Sequence, residues 1–78
     1  MIVKVKLFGT LRRLSNPGTP GIWEGPIPPG TTIQGLLKIL GAGEYEANVA
    51  TINGNACEFS EPIIEDSEII LVTPVGGG

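Results

Sequence analysis

Few residues of this 78-residue chain are of a kind that does chemistry. There is no histidine and a single cysteine, Cys57, which leaves no disulfide framework, no zinc site of Cys and His, and no imidazole to activate a nucleophile. Cys57 sits in Ala56-Cys57-Glu58, with no Lys or Arg beside it to stabilise a thiolate. A redox or sulfur-relay thiol needs such a neighbour, so Cys57 reads instead as a small, half-buried apolar side chain. The other candidate is the end of the chain, where Pro74-Val75-Gly76-Gly77-Gly78 follows the apolar run Ile69-Ile70-Leu71-Val72. Glycine has no Cβ and loses the most backbone entropy on ordering, so such a tail gains nothing in a core. It does fit a channel too narrow for any side chain. The reactive group it would deliver is the carboxylate of Gly78, carried on a flexible arm into a partner's active site. Taken alone, the glycines fit a frayed terminus as well. The preceding elements must supply the context.

The size allows one core and one domain, and a hydrophobic fraction of 41% is ordinary for a globular chain. Five basic against eight acidic residues give a net charge of -3. Such a balance offers phosphate backbones no attraction, so nucleic acid is not an expected partner. The longest apolar run, Ile69 to Val72, is far short of a membrane span, and Met1-Ile2 leads into Val3-Lys4-Val5 without a signal-peptide layout. A soluble, cytoplasmic protein with no membrane partner is expected. Intrinsic catalysis, a metal site and a bound cofactor are not.

Residues Ile2 to Phe8 alternate, with Val3, Val5 and Leu7 on one face and Lys4 and Lys6 on the other, which predicts a strand with one core face. Gly9 ends it. Thr10-Leu11-Arg12-Arg13-Leu14 fits a single helical turn that closes over the edge with Leu11 and Leu14. Arg12-Arg13 reads as a solvated face or, alternatively, as a dock for an acidic partner. Ser15 to Gly21 is loop, dense in Pro and Gly. Ile22 to Ile27 resumes a weak edge strand, since Pro26 cannot donate to a ladder, and Trp23 reads as a core or edge-covering residue rather than a ligand platform. After Pro28-Pro29-Gly30, Thr31-Thr32-Ile33-Gln34 matches a capping box with Thr31 as N-cap and Gln34 reaching back. Ile33, Leu36, Leu37 and Leu40 then form the apolar stripe of a helix stopped by Gly41.

Asn48 to Ile52 predicts a strand, Asn53-Gly54 a type I′ hairpin turn, and Asn55 to Glu58 the return. Phe59 and Ile63 are placed to tuck inward from an irregular connection. Glu65-Asp66-Ser67 then turns the chain into Glu68 to Val72, apolar on both faces beyond Glu68 as suits a central strand. Pairing the first and last strands in parallel buries the two most apolar strands together. The predicted fold class is α+β: a β-grasp, or ubiquitin-like, arrangement with a mixed sheet of four to five strands and one helix across it. The chain divides into a β-grasp domain over residues 1–73 and a flexible tail over 74–78.

These elements resemble the MoaD/ThiS family of sulfur carriers over nearly the whole chain. Val3-Lys4-Val5-Lys6-Leu7-Phe8-Gly9-Thr10-Leu11-Arg12-Arg13-Leu14 resembles the family's first strand and helical turn. Pro29-Gly30-Thr31-Thr32-Ile33 with Leu36-Leu37 resembles its helix start. Pro62-Ile63-Ile64-Glu65-Asp66-Ser67-Glu68-Ile69 is similar to the acidic turn into the last strand, with Ser67 where a glycine is often found. Pro74-Val75-Gly76-Gly77-Gly78 is similar to the Pro-Val-x-Gly-Gly tail. The resemblance implies a non-catalytic carrier, closest to the small subunit of molybdopterin synthase. In that reading a ThiF/MoeB-like adenylating enzyme uses ATP to activate the Gly78 carboxylate, and a sulfur donor converts it to a thiocarboxylate. Gly78 would carry the sulfur, Gly76 and Gly77 would supply reach and slimness, and Pro74 and Val75 would stiffen the exit. The implied acceptor is the large subunit of molybdopterin synthase, in molybdenum cofactor biosynthesis, or a thiazole synthase in thiamine biosynthesis. A ubiquitin-like modifier joined to target lysines through Gly78 uses the same first step, and an interaction module with an inert tail is the remaining alternative.

Overall fold

The computed structural model describes residues 1–43 and 46–73. The alternation at the N-terminus becomes strand β1, Ile2–Phe8, with Val3, Val5 and Leu7 buried. Gly9, at φ +68°, turns the chain out of β1 into a 3₁₀ helix, Gly9–Leu14, whose Leu11 is buried and Leu14 half-buried. The Pro- and Gly-rich stretch that follows is held by its own polar groups. The Ser15 hydroxyl donates to Arg12 O and accepts from the Gly21 amide, and the Asn16 amide donates to Ile22 O. Strand β2, Ile22–Pro26, then runs antiparallel along the outer edge of β1. Its indole lies on Gly25, where an added Cβ would stand 3.0 Å from the Trp23 ring. Trp23 thus covers the edge and packs against the core, as expected.

The helix, α1, spans Ile33–Leu40 and ends at Gly41 in the left-handed conformation with φ 85°. Ile33, Leu36 and Leu37 are buried, so the stripe faces the core. Its cap differs from the expected one. Thr32, not Thr31, is the N-cap, accepting from the Gly35 amide at 3.1 Å. Thr31 is occupied elsewhere, since its hydroxyl donates to Pro28 O and its carbonyl accepts from the Ile63 amide. Gln34 is exposed, and its backbone N–H donates to Phe59 O.

Strands β3, Val49–Ile52, and β4, Asn55–Ala56, form the predicted hairpin around Asn53 (φ 52°) and Gly54 (φ 84°), the pair of positive values a type I′ turn requires. The return is shorter than the expected Asn55 to Glu58. Beyond Cys57, whose amide donates to Ala50 O, the chain leaves the sheet toward the helix start, where Phe59 O meets the Gln34 backbone N–H. Strand β5, Glu68–Val72, completes a five-stranded mixed sheet in the order β2-β1-β5-β3-β4. It pairs in parallel with β1 and antiparallel with β3. Ile69, Leu71 and Ala50 share one buried cluster with the β1 valines, the helix stripe and Ile63. The left-handed position in the acidic turn is taken by Asp66 (φ 61°), while Ser67 is buried and donates to Ile64 O at 2.6 Å. This is the β-grasp, ubiquitin-like arrangement.

Candidate functional site at the root of the tail

Residues 74–78, and with them Pro74, Val75, Gly76, Gly77 and Gly78, lie outside the described residues. The last described position is Thr73, which follows the central strand. The Asn48 amide closes on Val72 O at 2.9 Å, and the Thr73 hydroxyl donates to Phe8 O at 3.1 Å. Thr73 also lies against Gly9, where a Cβ would stand 2.7 Å from the Thr73 Cβ. The glycine after β1 therefore does two things: it adopts a backbone angle that side chains disfavour, and it leaves room for the residue before the tail.

From Thr73 a chain of polar groups runs sideways. Its hydroxyl is 3.3 Å from that of Thr10, which donates to Glu46 Oε2 at 2.9 Å. Glu46 Oε1 accepts from the Gly43 amide at 2.9 Å and from the Arg13 guanidinium. The Glu46 side chain is only 13% exposed against 55% for Arg13. The Gly43 amide, helped by Thr10 and Arg13 and opposed by partial burial, holds the Glu46 carboxyl below its ordinary pKa. Arg13 is thus part of a structural contact rather than a freely solvated face. Arg12 is exposed and lies beside Gly21.

The register places a second feature beside the first. On the sheet face away from the core, Phe8 stands opposite Val72 and Val72 opposite Val49, an apolar row across β1, β5 and β3 next to the tail's root. Phe8 is 48% exposed and Val49 44%, high for large apolar side chains. Away from the tail the same face mixes charged residues with Ile70 and Ile2. Lys6 pairs with Glu68 at 3.3 Å, and Lys4 stands opposite both Glu68 and Glu24. Phe8 and Arg12 lie at the tail end and line one shallow groove. Ile2 is exposed at the opposite end of β1, and Phe59 packs against the core.

Cys57 is half-buried, with its thiol directed at Ala50 O. Burial, and after it the Glu61 charge, raises its pKa, the opposite of what a reactive thiolate needs. Thr10, Glu46 and Thr73 had no sequence signal, being separated by 36 and 63 positions. Among the described residues no group of acidic or cysteine side chains is arranged to hold a metal ion, and no helix is long and apolar enough to cross a membrane.

Comparison with solved structures gives the same fold. SAMP1 from Haloferax volcanii superposes with a TM-score of 0.72 at 22% identity, covering 100% of both chains. Another structure, of the small archaeal modifier protein 1 of H. volcanii, gives 0.71 at 17% identity, over 94% of this chain and 97% of that one. A putative molybdopterin converting factor, subunit 1, from Pyrococcus furiosus gives 0.68 at 22% identity, over 94% of this chain and 97% of that one. Among curated proteins none matches the sequence. The family model of the ThiS family matches residues 5–78, from the first strand through the terminal glycines. The chain belongs to the ThiS family.

Proposed function

We propose that this protein is a sulfur carrier whose Gly78 carboxylate is activated as an acyl adenylate and converted to a thiocarboxylate, with molybdopterin synthesis as its favoured destination. The observation that carries this reading is the family match, which runs through Gly78 and so includes the tail with the domain. A bare carboxylate is a poor electrophile. Attack of its oxygen on the α-phosphate of ATP, in the active site of an adenylating partner, releases pyrophosphate and leaves AMP as a leaving group. A sulfur nucleophile then forms the C–S bond as the C–O bond to AMP breaks. If that nucleophile is a persulfide, thiol cleavage of its S–S bond frees the thiocarboxylate.

In this reading the partners supply the acid, base and nucleotide chemistry, and the carrier contributes reach and a docking surface. The Phe8-Val72-Val49 row suits that surface, because a partner covering it lies next to the residue from which the tail departs. The molybdopterin branch is favoured by Pro74-Val75 and by Leu7-Phe8 with Arg12-Arg13; a thiazole synthase is the alternative acceptor. A second reading, a ubiquitin-like modifier, is favoured by the superposition on SAMP1. The two share activation and differ in the attacking group, sulfur for one and a lysine amine for the other.

Intact mass after incubation with the host's adenylating enzyme, ATP and a sulfur donor tests the proposal. A gain equal to replacing one oxygen by sulfur, lost when Gly78 is removed, is the expected result. Covalent ladders on other proteins would favour the modifier instead. An unchanged mass with an enzyme shown to be active would leave a β-grasp interaction module.

A further inference from the structure

Building on the carrier reading, we infer that Glu46 and Thr10 are positioning residues for the tail: the hydrogen-bonded chain from Glu46 through Thr10 to Thr73 fixes the residue from which the tail departs. The proton count supports a directed chain. Glu46 is held as a carboxylate by Arg13 and the Gly43 amide, so it can only accept. The single proton of the Thr10 hydroxyl therefore goes to Glu46, and the Thr10 oxygen is left as an acceptor. The Thr73 proton is shared between that oxygen at 3.3 Å and Phe8 O at 3.1 Å. The Thr73 hydroxyl is then in contact with both oxygens, while its Cβ packs where Gly9 lacks one.

The contacts of Glu46 contribute some stability above its ordinary pKa, but stability does not account for the link from Thr10 to Thr73. Every bond in the chain involves exposed or partly exposed groups, which add little to folding free energy. What the chain changes is the freedom of Thr73. A tail that must place one carboxylate against a bound nucleotide loses rate when its base wanders, since small displacements at a reacting centre are costly. Docking through the Phe8-Val72-Val49 row does not involve these hydroxyls. Affinity and turnover should therefore separate.

The test compares Thr73→Val, which keeps the branched shape and the γ-methyl but removes the hydroxyl, with Thr73→Ser, which restores the hydroxyl, and with Glu46→Gln. Pyrophosphate release by the adenylating enzyme, with a sulfur donor present to turn the adenylate over, is followed as carrier concentration is varied, and the order parameter of the γ-methyl at position 73 is measured by NMR in the free protein. Thr73→Val is expected to lower kcat about three- to tenfold with KM unchanged, and to lower the methyl order parameter. Thr73→Ser should recover kcat, and Glu46→Gln should fall between. An unchanged kcat in Thr73→Val, or an unchanged order parameter, overturns the inference. If the wild-type carrier is not adenylated by an enzyme shown to be active, the carrier reading fails. The order parameter then still decides whether the chain restrains Thr73.

Discussion

A carboxylate held by three donors is a poor proton acceptor, and Glu46 is held by the Gly43 amide, the Thr10 hydroxyl and the Arg13 guanidinium. Its pKa lies below the ordinary value of 4.5. The native protein therefore binds this proton less readily than the unfolded chain does. The stabilisation from these contacts is complete above the ordinary value and is lost as pH falls through the native one. Arg13 is the charged group facing Glu46 among the described residues. Glu46→Gln should flatten the loss of stability on acidification below about pH 5, read from urea midpoints at a series of pH values. Identical slopes in the two proteins would mean that Glu46 is not held as described. Cys57, by contrast, was legible from its neighbours alone: nothing beside it in sequence favours a thiolate, and the fold adds burial to that.

At the scale of elements, periodicity and turn chemistry carried most of the reading. The Ile33, Leu36, Leu37 stripe, the left-handed stop at Gly41 and the Asn53-Gly54 turn all appear where their residues place them. Each depends on interactions within a few residues, which sequence spacing encodes directly. The cap shows where this stops. Thr31 and Thr32 are equivalent by local chemistry, and the choice between them is made by Pro28 O and the Ile63 amide, which engage Thr31 and leave Thr32 to cap. Thr32→Ala should cost about 1 kcal/mol, and Thr31→Ala measurably less, because the latter removes one exposed bond to Pro28 O. Equal losses in denaturant unfolding would return the cap to Thr31.

For the molecule as a whole, the sheet has one face buried in the core and one face turned to solvent, the face proposed above for docking. Leu71 is fully buried at the centre of the core, and Leu71→Ala should cost roughly 2–5 kcal/mol, a large share of what so small a domain possesses. Phe8, one position along the neighbouring strand, has the opposite profile: nearly half its surface is in solvent. Phe8→Asp should leave the thermal midpoint within a few degrees of wild type while raising KM for the adenylating enzyme about tenfold or more, as loss of a central apolar contact does. A thermal midpoint that falls with Phe8→Asp, or a KM that does not move, would place recognition elsewhere. Set beside the Thr73 variants, the pair separates docking from positioning.

The sequence by itself determined the strands, the helix and the hairpin turn, because alternation, helical spacing and turn propensity act between near neighbours. Only the tertiary structure decided which surface lies at the tail's root. The Phe8-Val72-Val49 row exists through the register of three strands, and that register is set by burying Leu7, Leu71 and Ala50 on the other face. The Glu46-Thr10-Thr73 chain joins residues 36 and 63 positions apart. Hydrogen bonds over such separations depend on where the core brings the backbone, and no local pattern records that.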